Sequence, residues 1–270
     1  MAFRECREEK NHMNEARLEP APLAGKLALV TGGARGLGLE ISRQLAALGA
    51  EVIVTARNEA RAEAAAAGLR GEGHAARGLK LEVTHEVERL AVYHSLQQSH
   101  GLLDILINNA AVYLDSENAA MPAPRLASGT PEAILRTTFE TNFFAPVLLT
   151  QALLPLLRKS KAGRIVNLSS IRGSLTLQAD PASTVYANKA FAYDASKTAL
   201  NAFTVQLAEE LRHTAIKVNA IHPGWVRTKM GGDVADLSLE EGARTAILYA
   251  SLPNDGPTGG FFYLDEQVPW

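Results

Sequence analysis

The chain has a single cysteine, Cys6, in 270 residues, so it can form no disulfide within itself. That fits a reducing compartment, and a cytoplasmic location is expected. The charge balance is nearly even, −2 at pH 7, without the basic excess of a dedicated nucleic-acid binder. Long apolar runs are missing as well. The longest, residues 146–157, contains Thr150, Gln151 and Pro155 and is too short to span a bilayer, so no membrane partner is expected. The first 25 residues mix Arg, Glu, Lys and Asn with no apolar core, which excludes a secretory signal there. The seven histidines show no metal-ligand spacing with one another or with Cys6, and no metal is expected. What remains is a chain with 47% hydrophobic residues, ordinary for a soluble protein with a sizeable core.

Residues 1–24 read as a charged, flexible tail, and residues 25–270 as one folded domain. Short apolar runs predict strands over 26–31, 51–55, 79–83, 103–107, from Arg164 onward, and 216–221. Helical patterns fall between them, over about 39–48, 59–69 and 86–99, and after Thr130-Pro131, with proline in the first helical position. Pro155 should bend or break the last turn of the helix that contains Asn142. This alternation argues an α/β fold: a single Rossmann-type, doubly wound parallel sheet of about seven strands with helices on both faces. Residues 112–130 read as a loop. The segment 225–239 holds Gly231-Gly232 and few apolar anchors, and reads as a mobile lid over a substrate. Within it, Trp225 and Met230 either contact an apolar substrate or pack on the domain.

The first strand runs straight into Gly32-Gly33-Ala34-Arg35-Gly36-Leu37-Gly38, and a helix follows. Glycines there let the backbone turn tightly and approach a pyrophosphate, which sits at the positive N-terminus of the helix. No Lys-Ser or Lys-Thr pair follows, so a P-loop is excluded. The second strand ends at Ala56-Arg57 with no acid to bond a ribose 2′-hydroxyl. Arg57, joined by Arg35, suits a 2′-phosphate instead, which favours NADP(H) over NAD(H). The bland alternative for Arg57 is a solvated residue at a helix start.

Tyr193 and Lys197 are four residues apart in a segment of good helix formers, so both side chains fall on one face. A free phenol has a pKa of about 10 and is a poor base at neutral pH. A neighbouring ammonium lowers that value, and a shift of ~3 units corresponds to roughly 4 kcal/mol, within reach of a lysine plus a cationic cofactor ring. Alone, the pair reads more readily as two neighbours on a surface helix.

Taken in order, the glycine turn, Asn108-Asn109-Ala110, Asn142, Ser170, Tyr193 with Lys197, and Pro223-Gly224 resemble the short-chain dehydrogenases/reductases. The match covers about residues 26–260, and the ending 259–270 resembles a carbonyl-reductase-like branch. The resemblance implies that Tyr193 exchanges a proton with the substrate oxygen and that Lys197 lowers its pKa and holds the nicotinamide ribose. It also implies that Ser170 bonds the carbonyl oxygen and that Asn142 anchors a water leading to Lys197. For the cofactor it implies the glycine turn Gly32, Gly36, Leu37 and Gly38 at the pyrophosphate, Glu82 and Val83 at the adenine, and Asn109 and Ala110 at the ribose. Pro223, Val226 and Thr228 would border the carboxamide. Ala111 and Glu82 replace the family's usual Gly and Asp, and 23 residues separate Ser170 from Tyr193, longer than in most members. The extra stretch, 174–192, holds Tyr186, which lacks a lysine four residues on. It would border the substrate pocket or cover a dimerisation face.

The implied activity is NADP(H)-dependent transfer of hydride between the nicotinamide and a small-molecule carbonyl or secondary alcohol. The alternatives are an NAD-dependent alcohol dehydrogenase of the same fold and a non-catalytic dinucleotide sensor or scaffold. A homo-oligomer, dimer or tetramer, is implied through the helices carrying Asn142 and Tyr193; a monomer is the alternative if the insertion blocks that packing.

Overall fold

Leu27, Ala28, Leu29 and Val30 are all buried, as a strand covered on both faces requires. In this computed structural model, which describes residues 21–116 and 127–270, alternate residues of that strand feed two separate cores. Ala28 and Val30 pack with Ile41, Leu45, Val52 and Tyr249, whereas Leu27 and Leu29 pack with Ile53, Leu106, Leu149 and Val218. Each Val, Leu or Ile side chain so buried contributes roughly 1.5–3 kcal/mol.

The order of elements is β1 (Leu27–Val30), α1 (Gly36–Ala47), β2 (Glu51–Ala56), α2 (Glu59–Gly71), β3 (Ala76–Lys80), α3 (Glu86–Ser99) and β4 (Ile105–Asn108). The second half runs α4 (Glu132–Phe139), a π-helical turn (Glu140–Phe144), α5 (Ala145–Leu157), β5 (Arg164–Leu168), α6 (Leu175–Ala179) and α7 (Phe191–Glu210). It ends with β6 (Lys217–Ile221), α8 (Leu239–Ala250), β7 (Phe261–Tyr263) and β8 (Glu266–Gln267). The sheet order is β3-β2-β1-β4-β5-β6-β7-β8, parallel from β3 to β7, with only β8 antiparallel. This is the doubly wound α/β architecture expected from the sequence. The strand order reverses between β1 and β4, so their carboxyl ends part and open a crevice, the usual place for a ligand in such sheets.

Three local expectations need correction. The third strand is Ala76–Lys80, not 79–83. It pairs only with β2, from Val52↔Ala76 to Ala56↔Lys80, so the ladder stops where β2 stops. Leu81 and Val83 are buried as loop residues, and their alternation reported burial rather than pairing. Pro131 occupies the capping position of α4, with an extended backbone, instead of the first helical position. Pro155 does not break its helix, which continues to Leu157. The irregularity lies earlier, in the π turn Glu140–Phe144.

Leu23, which the sequence places in the tail, is buried in the first core and donates its backbone N–H to the Leu48 carbonyl. Residues 1–20 of the tail and residues 117–126 of the expected loop lie outside the described residues.

Candidate active site

β5 and α7 bring together the residues expected to be catalytic. Tyr193 lies in the first turn of α7 and is only 9% exposed; Lys197, one turn on, is buried too. Helical spacing therefore puts both on one face, with Lys197 Nζ 5.5 Å from the centre of the Tyr193 ring. Lys197 Nζ also donates to the Leu168 carbonyl at the end of β5, 2.7 Å away. Two residues past that carbonyl stands Ser170, buried, its hydroxyl accepting from Arg172 N–H at 3.3 Å and near enough to the Tyr193 phenol to lower its pKa. Ser170, Tyr193 and Lys197 thus converge although 23 residues separate the first two.

Asn142 joins this group through other partners. It lies in the π turn, and four residues later Pro146 has no N–H to close an α-helical bond onto the Asn142 carbonyl. Its side chain pairs both ways with the Val112 backbone: Val112 N–H donates to Oδ1 at 2.8 Å, and Nδ2 donates to the Val112 carbonyl at 2.9 Å. Nδ2 also donates to Ser196 Oγ at 3.1 Å, next in sequence to Lys197.

The electrostatics differ from the expectation that Lys197 lowers the phenol pKa. Burial pushes Tyr193 up to about 12; the nearby Arg172 guanidinium and the Ser170 hydroxyl oppose this, and the Asp194 charge adds to it. Burial pushes Lys197 down to about 7. Both groups are withdrawn from water, so desolvation outweighs the attraction the sequence suggested.

Several residues near the phenol were not singled out from the sequence. The Tyr113 ring lies 5.1 Å from the Tyr193 ring, tilted by 52°. Asp115 is buried and accepts from the backbone N–H groups of Ala192 and Tyr193. Asp194 is buried and ion-paired to Arg172 at 3.4 Å, and burial pushes its carboxyl up to about 6. No periodicity marks these positions; the only available signal was the rarity of a carboxylate deep in an apolar neighbourhood. In contrast Tyr186, the second tyrosine of the insertion, is exposed beneath Lys189 Nζ at 4.4 Å. The insertion itself is tied to the C-terminus. Thr176 N–H donates to the Trp270 carbonyl, and Leu177 and Trp270 pack on the cluster around Phe261.

The glycine turn joins β1 to α1. Gly36 has φ +52°, and a Cβ there would point into open space. Gly38 is the opposite case, since a Cβ would stand 2.4 Å from the Gly32 carbonyl oxygen and 2.5 Å from Asn109 Nδ2. Thr31 Oγ1 accepts from the N–H groups of both Asn109 and Ala110, each at 2.9 Å, stitching the ends of β1 and β4 together. The N-terminus of α1 has no side-chain cap and no acid in its first turn, and Arg35 beside it is exposed. Leu37 is half-buried on the first turn. Arg57 extends its side chain, 80% exposed, to within 3.9 Å of Glu82, whose neighbour Val83 is buried.

Pro223 and Gly224 follow β6. Val226 is buried, its side chain turned toward Gly242 of α8. Thr228 Oγ1 accepts from Gly231 N–H. The 225–239 segment has anchors that the sequence reading missed, namely Val226 and Ala235, both buried, and a Val226↔Leu237 bridge. Trp225 is 41% exposed and donates from its indole to the Gly231 carbonyl. The His222 ring lies 5.3 Å from the Tyr263 ring, tilted by 44°, its Nδ1 buried without a partner and its pKa pushed down to about 4 by burial.

A parallel sheet with a glycine turn at its switch point and a serine, tyrosine and lysine at the ends of β5 and α7 defines a dinucleotide-dependent oxidoreductase scaffold. The family model for short chain dehydrogenase matches residues 26–237, and the chain belongs to that family. It is 32% identical to (−)-isopiperitenone reductase of Mentha piperita and 32% identical to carbonyl reductase [NADPH] 1 of Homo sapiens. Each alignment covers 90% of this chain and 98% of the relative. Among solved structures it resembles NADPH-bound carbonyl reductase from chicken fatty liver, with a TM-score of 0.78 at 28% identity over 92% of this chain and 99% of that one. It also resembles salutaridine reductase from Papaver somniferum, with a TM-score of 0.74 at 28% identity over 88% and 99%. Among the described residues, no helix is long and apolar enough to cross a membrane, and no group of three or more His, Cys, Asp or Glu is placed to hold a metal.

Proposed function

We propose that this chain is an NADPH-dependent reductase of ketones or aldehydes. The observation that carries this reading is the contact of Ser170 with the Tyr193 phenol, with Lys197 one helical turn away. A phenol whose pKa lies near 12 keeps its proton at neutral pH, and a protonated phenol is the form that can give a proton to an oxygen becoming an alkoxide. Tyr193 would supply that proton, and Ser170 would donate a hydrogen bond to the same oxygen.

The crevice fits NADP(H). The open N-terminus of α1, with Gly32, Gly36, Leu37 and Gly38, suits the pyrophosphate, and the exposed Arg35 and Arg57 suit a 2′-phosphate. Glu82 and Val83 would flank the adenine, and Asn109 and Ala110 the ribose. Lys197 and Tyr193 would hold the nicotinamide ribose, and Pro223, Val226 and Thr228 the carboxamide; Val226 would do so through its backbone, because its side chain faces α8. When bound, the cofactor supplies the hydride. Asn142 would hold a water that returns a proton to the site through Lys197, and the 225–239 segment would cover the substrate.

The deciding experiment is titration with NADPH and NADH, followed by a screen of ketones and aldehydes monitored by loss of NADPH absorbance. Tighter NADPH binding with turnover of a carbonyl supports the reading. Binding of neither nucleotide overturns it.

A further inference from the structure

Backbone N–H groups in the first turn of a helix have no partner within the helix. In α7 these groups belong to the turn that carries Tyr193, and α7 has no side-chain cap from its own capping residue, Ala190. Asp115, 77 and 78 residues away in sequence, takes that place. Its Oδ1 accepts from Ala192 N–H at 2.9 Å and its Oδ2 from Tyr193 N–H at 3.0 Å. The carboxylate is 1% exposed, so both bonds are shielded from water.

The segment that delivers this carboxylate is itself held at two further points. Asn142 grips the Val112 backbone from both sides, and the Tyr113 ring lies against the Tyr193 ring. Between Asn142 and α7, residues 112–115 therefore form a strap whose last member holds the backbone of Tyr193 and whose middle member holds its ring. A second acid completes the turn: Asp194 Oδ2 accepts from Ala190 N–H at 2.9 Å, while Arg172 pairs with Asp194 and donates to the Asn188 carbonyl.

We infer that Asp115 is a positioning residue for Tyr193: by bridging two N–H groups of the first turn of α7, it sets where the phenol stands relative to Ser170 and to the substrate oxygen. This inference rests on the acid–base reading of Tyr193, yet half of it can be tested without turnover. Proton transfer demands near-contact geometry, and a displacement of about 1 Å can cost roughly a hundredfold in rate. The strap would thus act chiefly on kcat, since the glycine turn, Arg35 and Arg57 lie outside it.

The test uses the full chain with Asp115→Ala and Asp115→Asn. Amide hydrogen exchange at Ala192 and Tyr193 should accelerate about tenfold or more in Asp115→Ala, the ratio that loss of one side-chain cap implies. With saturating NADPH and 4-nitrobenzaldehyde as the probe carbonyl, kcat should fall roughly 10- to 100-fold while NADPH affinity stays within about twofold. Asp115→Asn keeps one acceptor and should fall between the two proteins in both measurements. A lower melting temperature with kcat unchanged, measured well below the transition, would reduce Asp115 to a stabilising cap and overturn the inference. Unchanged exchange at the two amides would overturn it as well. If the unmodified protein binds NADPH but reduces no carbonyl, the functional reading fails, while the exchange result still decides whether Asp115 fastens the turn.

Discussion

Lys197 Nζ donates to the Leu168 carbonyl at 2.7 Å, so the lysine is bonded to the end of β5 while it stands 5.5 Å from the centre of the Tyr193 ring. One neutral acceptor does not repay the loss of water around an ammonium, and the pKa falls to about 7 from the usual 10.5. Between about pH 7 and 10.5 the unfolded chain therefore binds more protons than the folded one. The stabilising contribution is complete above about 10.5 and is lost as pH falls through about 7. Tyr193 works oppositely at the alkaline end. Its phenol holds its proton to about 12 in the fold against 10 in the unfolded chain, so its contribution is present below about 10 and is lost as pH rises through about 12. Melting temperatures measured from pH 6 to 10 should rise with pH relative to Lys197→Met, in which the lysine's share of that rise is removed. Parallel curves for the two proteins would show that the lysine stays charged when folded.

Tyr193→Phe removes the proton donor but keeps the ring packed against Tyr113. Turnover should drop roughly 10²- to 10⁴-fold, the usual share of general acid catalysis, with NADPH affinity nearly unchanged. Residual activity close to that of the parent would place the acid elsewhere.

Arg57 faces Glu82 at 3.9 Å with most of its side chain in solvent, so that pair contributes little to folding. Arg57→Glu should leave the melting temperature within about 1–2 °C and weaken NADPH roughly 10- to 100-fold, with little change for NADH. Equal losses for both nucleotides would remove the argument for a 2′-phosphate clamp.

Gly38→Ala places a methyl group 2.4 Å from the Gly32 carbonyl oxygen and 2.5 Å from Asn109 Nδ2. Since the first of these is backbone, the helix must shift, at a cost of about 1–3 kcal/mol. Both nucleotides should bind more weakly and the melting temperature should fall; calorimetry and titration would read the two effects. A variant with normal binding would mean that α1 need not approach the turn so closely.

Much of the fold was legible because its signals are local. Buried parallel strands read as short apolar runs such as Leu27–Val30, and the turn after β1 needs glycines in particular places. The misplacement of β3 shows the limit of such patterns, since Leu79, Leu81 and Val83 alternate where the chain is buried but, beyond Lys80, no longer paired. Pairing depends on where β2 ends, and that lies some twenty residues upstream.

The same division runs through the site. The sequence by itself determined the residue types and their order: the glycine turn, Asn142, Ser170, and Tyr193 with Lys197 at helical spacing, which is a property of one chain segment. Only the tertiary structure decided the direction in which Tyr193 and Lys197 titrate, because desolvation depends on everything packed around them. It also decided what holds the start of α7. Two N–H groups left over by a helix must find a partner, but nothing local says that the partner is a carboxylate 77 residues earlier in the chain.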